Sequence, residues 1–265
     1  MGAEATAETV QDYVDAGGLR TYYEAHGSGA PLVLLHGGLC TVETFSGLTQ
    51  ILAEQYRVFL PERRGHGRTP DVAGPITYEA MAQDTIAFLQ AVDLPSADFV
   101  GWSDGAVIAL LVALSRPDLV HRLVLIGQGI NPEGLRPEYR AMTQQETMPD
   151  MLPPMLGNLY AAASPDGPEH WSVVKNKLWQ LYRTEPNMAL DELAHVTAPT
   201  LLIMAEDDIL TLEHAQAMRQ ALPDARLEIV PGTTHGLPME KPEVVARLVL
   251  DFLEATSQAT NVSRA

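Results

Sequence analysis

The chain has 265 residues, 46% of them apolar and 19% charged, a composition that supplies a full core and excludes a disordered polymer. Seventeen Lys and Arg stand against 34 Asp and Glu, and the resulting net charge of −17 argues against nucleic acid or anionic lipid as a partner. A single cysteine, Cys40, excludes an internal disulfide, and no apolar run is long enough to span a membrane, so a cytoplasmic location is expected. The acidic opening, MGAEATAETVQDYVDAGG, lacks the basic-then-apolar order of a signal peptide and reads as a leader. After it, short runs rich in Val, Ile and Leu alternate with longer segments of helical period, the pattern of an α/β chain with a mostly parallel sheet. The runs predict strands over 19–23, 32–35, 58–61, 97–102, 122–127, 200–205 and 226–230. The periodic segments predict helices over 43–54, 78–92, 104–115, 212–221 and 242–256, with Thr77 and Thr211 as N-caps of two of them. Between 129 and 193 the alternation stops: the segment is rich in proline and methionine, holds Trp171 and Trp179, and shows no convincing strand. The chain thus divides into a sheet domain, 1–128 with 194–265, and a helical insertion, 129–193, expected to cap one edge of the sheet.

The stretch GWSDG, 101–105, sets Ser103 between two glycines where an apolar strand gives way to an apolar helix. Such an abrupt strand-to-helix turn strains its middle residue, and flanking glycines remove the Cβ atoms that would collide. The turn would hold the Ser103 hydroxyl above the sheet beside a helix N-terminus, where developing negative charge is favoured. A serine needs a base, and of eight histidines His235 is the one set just past a late strand and before the last helix. Its loop falls at the C-terminal edge of the sheet, where the catalytic groups of open α/β sheets gather. An imidazole base needs an acid, which the strand end Glu206-Asp207-Asp208 supplies; Asp208 is the choice if the strand stops at Ala205, with Asp207 and then Glu206 as alternatives. The early strand ends in His36-Gly37-Gly38, whose glycines let backbone N–H groups approach a ligand. Gly38 and Asp104, the residue after the serine, are the expected oxyanion donors through their N–H groups. Gly37 and Trp102, with Met142, Met148, Met151, Leu152, Met155, Leu178 and Trp179 from the insertion, are the expected substrate-binding residues. The loop RRGHGRTP, 63–70, is basic and rich in glycine but lacks the Lys-Ser/Thr ending of a phosphate cradle.

Taken together, HGG, RRGHGRTP, GWSDGA, LLIMAEDD and GTTHG, in that order from about Leu19 to Leu253, resemble the α/β-hydrolase superfamily. They look most like its small bacterial esterase and lactonase-like members, which carry a helical cap after the sixth strand. The resemblance implies an α/β-hydrolase fold, no cofactor and no metal, with Ser103 as nucleophile, Asp208 as acid and His235 as base. It implies hydrolysis of a small carboxylic ester or lactone through an acyl-enzyme, by a monomer or homodimer. Asp104 is a departure, since many relatives carry a neutral residue there. It resembles the GWSDG variant of amino-acid ester hydrolases, where the carboxylate could meet a substrate ammonium. Perhydrolase or haloperoxidase-type chemistry without a cofactor, and a ligand-binding member with residual turnover, are the other readings of the same residues.

Overall fold

The computed structural model describes residues 9–150 and 152–263. Its centre is one sheet of eight strands: β1 (Val10–Ala16), β2 (Leu19–His26), β3 (Ala30–Leu35), β4 (Tyr56–Pro61), β5 (Ala97–Trp102), β6 (Val120–Ile126), β7 (Thr200–Asp207) and β8 (Ala225–Thr234). Across the sheet they run β1-β2-β4-β3-β5-β6-β7-β8. Only the β1–β2 and β2–β4 pairings are antiparallel. Strand β5 is buried at all six positions, as a central parallel strand covered on both faces must be.

From β3 the chain steps one way to β4, then crosses β3 to reach β5, so the order reverses between β3 and β5. The carboxyl ends of strands that flank such a reversal leave a crevice. Gly37 and Gly38 follow β3, and Ser103 follows β5, so both motifs open onto it.

The helices that flank the sheet are α1 (Ser46–Leu52), α2 (Tyr78–Ala91) and α3 (Asp104–Ser115). Thr77 accepts a hydrogen bond from Ala80 N at the start of α2, the capping its position predicts. Helix α3 buries nine of its residues, which explains why its sequence, DGAVIALLVALS, is apolar around the whole circumference. Between β6 and β7 lie α4 (Pro137–Met142), α5 (Pro154–Ala163) and α6 (Trp171–Tyr182), two of them opened by a proline whose missing N–H would be unpaired anyway. Helices α7 (Leu212–Ala221), α8 (Leu237–Glu240) and α9 (Pro242–Ser263) complete the chain, and Thr211 caps α7 by accepting from His214 N.

Three expectations need correction. Residues 10–16 are not a leader but the edge strand β1, paired with β2 through Gly17 and Gly18, both at positive φ. That Gly-Gly step is a hairpin signal in its own right. The helix expected over 43–54 begins as a 3₁₀ turn, Val42–Phe45, before α1 proper. Strand β7 runs on to Asp207, because a register shift after Ala205 lets Asp207 pair with Thr234.

Candidate active site

Ser103 adopts φ 55° and ψ −122°, a conformation that strains any residue with a Cβ. Its two glycines are required by space. A Cβ on Gly101 would stand 2.2 Å from Gly105 O, and one on Gly105 would stand 1.9 Å from Leu35 O, both backbone atoms that cannot swing aside. The elbow therefore packs directly on β3, and the half-buried Ser103 side chain emerges over the crevice.

His235 lies between β8 and α8. The Trp102 indole N–H donates to its carbonyl oxygen at 2.9 Å, tying the histidine loop to the residue before Ser103. Its Nε2 is 3.0 Å from Ser103 Oγ, and its Nδ1 is 2.8 Å from Asp208 Oδ1. Asp208 is fully buried and also accepts from Ala205 N at 3.0 Å and Ile209 N at 2.8 Å. Burial alone would raise the Asp208 pKa, but the His235 contact and these two N–H groups outweigh it and hold the carboxyl below its usual value. An ionised carboxylate only accepts, so the proton of a neutral imidazole sits on Nδ1 and the Nε2 lone pair faces the serine hydroxyl. That arrangement can remove the hydroxyl proton during attack. Asp207 points elsewhere, its side chain 75% exposed and paired with Arg136 at 2.5 Å. Glu206 accepts from Gly232 N.

The other histidines stand apart from Ser103. His26 pairs with Glu24, His121 with Ser96 and His170 with Asp71, while His195 contacts the Glu192 carbonyl. His214 accepts from Ile130 N, and His36 and His66 are buried behind the Gly37–Gly38 loop.

Gly38 lies against the nucleophile turn so closely that a Cβ there would be 2.3 Å from Asp104 Oδ2 and 1.9 Å from Tyr182 Oη. Among the described residues its N–H donates no hydrogen bond. The Asp104 N–H is the first of helix α3, one of the four without an intrahelical acceptor. The Asp104 carboxylate is buried and bridges three elements: it accepts from the Tyr78 hydroxyl of α2 and the Tyr182 hydroxyl of α6, each at 2.9 Å. Burial raises its pKa, while the Arg63 guanidinium and the two phenols pull the other way. Both phenols are pushed well above their ordinary pKa, by burial first and then by Asp104, and so remain donors.

A cavity of about 530 Å³ opens over Ser103 and His235. Gly37, Gly38, Trp102, Asp104, Met142, Met148, Leu152, Met155 and Trp179 line it. Leu178 does not; it is fully buried in the main core, on the face of α6 turned from the cavity. Met151 lies outside the described residues. Sequence reasoning missed Tyr78, Tyr139, Tyr182, Leu135, Ile209 and Leu210 in the lining. Tyr78 was marked as a helix start by its capping threonine, but nothing local says which carboxylate its hydroxyl meets 26 residues later. Among the described residues, no three His, Cys, Asp or Glu side chains converge as a metal site requires, and no helix is long and apolar enough to cross a membrane.

Known proteins share this architecture. The model of a family described as the alpha/beta hydrolase family matches residues 32–248. The 2-hydroxy-6-oxo-6-(2'-aminophenyl)hexa-2,4-dienoic acid hydrolase of Metapseudomonas resinovorans is 27% identical over 280 residues, spanning 96% of this chain and 94% of that protein. The "Putative carbamate hydrolase RutD" of Azorhizobium caulinodans is 26% identical over 257 residues, 91% and 97% of the two chains. The crystal structure of a serine hydrolase involved in carbazole degradation, the CarC enzyme, superposes with a TM-score of 0.77 at 26% identity over 94% of this chain and 100% of that one. Because the family match runs from the strand before Gly37 to the helix after His235, and so takes in the crevice and everything that faces it, this chain belongs to the alpha/beta hydrolase family.

Proposed function

We propose that the protein is a serine hydrolase that cleaves a small carboxylic ester or lactone through an acyl-enzyme. The observation that carries this reading is the chain of contacts from Ser103 Oγ to His235 Nε2 at 3.0 Å and from His235 Nδ1 to buried Asp208 at 2.8 Å, set at the base of an accessible cavity. In the proposed reaction Ser103 Oγ attacks the acyl carbon while His235 Nε2 takes its proton. The carbonyl oxygen gains the electron pair and is met by the N–H groups of Gly38 and Asp104. Collapse breaks the bond to the alkoxy oxygen, which leaves with the proton from His235. Water then attacks the acyl carbon through the same base, and Ser103 is regenerated. An ester or lactone is favoured over an amide because an alkoxide leaves with less help than an amine. The methionines and tyrosines of the cavity match a substrate that is apolar over most of its surface.

Asp104 does not call for a substrate ammonium. Each of its oxygens already accepts from a phenol, and Arg63 lies behind it as a balancing charge. The test is a fluorophosphonate probe followed by a panel of p-nitrophenyl esters, lactones, carbamates and aminoacyl esters. Labelling of the wild type that disappears in Ser103→Ala, with neutral esters or lactones turned over best, is expected. Absent labelling, or labelling that survives Ser103→Ala, defeats the proposal. An aminoacyl preference above about tenfold that vanishes in Asp104→Asn would instead install an amine-recognising site, at an energy near 1.4 kcal/mol.

A further inference from the structure

The two adjacent arginines of RRGHGRTP have opposite fates. Arg64 reaches a part-buried carboxylate, pairing with Asp84 through two hydrogen bonds of 2.6 and 2.7 Å. Arg63 is buried, has no carboxylate within hydrogen-bonding distance, and among the described residues leaves its Nε and Nη1 without partners. A buried guanidinium so poorly matched is costly. It does have one strong bond: Nη2 donates to the Gly37 carbonyl at 2.7 Å. His36 Nδ1 lies 2.9 Å from the same oxygen and 3.1 Å from Arg63 Nη2, and Cys40 N donates to that oxygen at 3.3 Å, so three groups hold the carbonyl.

The Gly37 carbonyl and the Gly38 N–H are the two edges of a single trans peptide plane and point in opposite directions. Fixing the oxygen at the back therefore fixes the N–H at the front. The front is the cavity that holds Ser103, and Gly38 N–H has no acceptor there among the described residues. Neither glycine has a side chain to hold this peptide in place, and a Cβ on Gly38 is forbidden by Asp104 and Tyr182. Within the loop the His36 ring and the longer Cys40 N–H bond reach the carbonyl, and the shortest bond to it, the charged one, comes from Arg63 outside the loop.

We propose that Arg63 is a positioning residue for the oxyanion: its buried guanidinium clamps and polarises the Gly37–Gly38 peptide so that the Gly38 N–H is aimed at the oxygen of the tetrahedral intermediate. This inference rests on the serine hydrolase reading above. A charged donor on the carbonyl draws electron density through the peptide and makes the N–H opposite a stronger donor. The same cation also places positive potential behind the oxyanion in a region screened from water. The two imidazoles beside it add no second positive charge. His66 is pushed down to about 3 and His36 well below its ordinary value, by burial first and by Arg63 second, so both are neutral. The carboxylate that balances Arg63 is Asp104, on the far side of Gly38.

The experiment compares wild type, Arg63→Lys and Arg63→Met on one p-nitrophenyl ester, after folding is checked by circular dichroism and thermal melting. Wild-type labelling by the fluorophosphonate probe and loss in Ser103→Ala establish the underlying reading first; their failure is the failure of that reading, seen before any Arg63 variant is made. Removing an oxyanion donor outright costs about 10²–10³ in kcat, so misaiming one is expected to cost about 10–10² in Arg63→Met with KM within twofold. Arg63→Lys, which keeps a cation without the fork, is expected to recover part of the loss. A boronic acid that mimics the tetrahedral intermediate should weaken by the same factor as kcat/KM. The proposal falls if folded Arg63→Met keeps wild-type kcat, if only KM moves, or if boronate affinity does not follow kcat/KM. It falls equally if neither variant folds, since Arg63 would then be a structural residue.

Discussion

Two neighbouring aspartates show how much a single position decides. Asp208 is fully buried, receives Ala205 N, Ile209 N and His235, and is held ionised against its burial. Asp207, one residue earlier, is solvent-facing and pairs with Arg136. An amide in place of Asp208 would present N–H to N–H or turn the imidazole to the wrong tautomer, and in a Ser–His–Asp mechanism that change costs about 10⁴ in kcat. Asp208→Asn is therefore expected to lose about 10⁴ in kcat on a p-nitrophenyl ester, whereas Asp207→Asn should stay within twofold of wild type. Equal losses in the two variants would refute the assignment. The sequence favoured Asp208 on the premise that the strand stops at Ala205. The strand in fact continues to Asp207, and the register shift after Ala205 turns Asp208 toward His235. Ser103 and His235 were legible because chemistry and local punctuation coincide there. The tyrosines on Asp104 were not, since a contact 78 residues apart leaves no local trace.

At the scale of elements, alternation of apolar runs and helical periods revealed the parallel strands, because strands covered on both faces must be apolar throughout. The same logic hid β1. Four of its seven residues, Gln11, Asp12, Tyr13 and Asp15, are exposed, as an edge strand at the rim of the sheet allows. Helical period also failed to say which side of α6 faces the cavity: Trp179 lines it while Leu178, beside it, is in the core. Ionic contacts hold α6 in place beside the apolar packing of Val174, Leu178 and Leu181. Asp71, in the loop after β4, accepts from Lys177 Nζ at 2.6 Å and His170 Nε2 at 2.8 Å, and Lys177 also donates to Val72 O. Burial would raise the Asp71 pKa, but the bonds from Lys177 and His170 prevail and lower it. Asp71→Asn leaves a part-buried lysine without its anion, a loss on the order of 2 kcal/mol for a charged hydrogen bond. The expected result is faster cleavage between α4 and α6 in limited proteolysis, with the sheet domain intact. Unchanged cleavage kinetics would show that apolar packing alone secures the helix.

For the whole molecule, the net charge of −17 keeps the protein far from its point of zero charge at neutral pH, while its interior stores an opposite sensitivity. His36 and His66 are buried and neutral in the fold, and His214 is depressed too, by burial foremost. In the unfolded chain each would titrate near 6.5. Below that value the unfolded state binds more protons than the native one, so stability must fall as pH falls, continuing for His66 until about pH 3. At pH 5 the loss is about 2 kcal/mol for His66, at about 1.4 kcal/mol per pH unit, and His36 adds to it with the same sign. The depressed carboxyls, Asp208 and Asp71, act with the same sign but only at lower pH, near and below the ordinary carboxylate range. Glu62 acts with the opposite sign in the same window as the histidines: burial raises its pKa to about 7, so the fold takes up a proton there before the unfolded chain does and offsets part of the histidine effect between pH 7 and 5. The histidine effect is therefore read as a difference: in urea titrations at pH 7, 6 and 5, wild type should lose stability relative to His66→Gln with about one proton's worth of slope below pH 6.5. A difference between wild type and His66→Gln that stays constant across that range would mean that the His66 imidazole reaches water or a counter-charge in the fold, and the dry, single-cation cluster behind Gly37 and Gly38 would have to be abandoned.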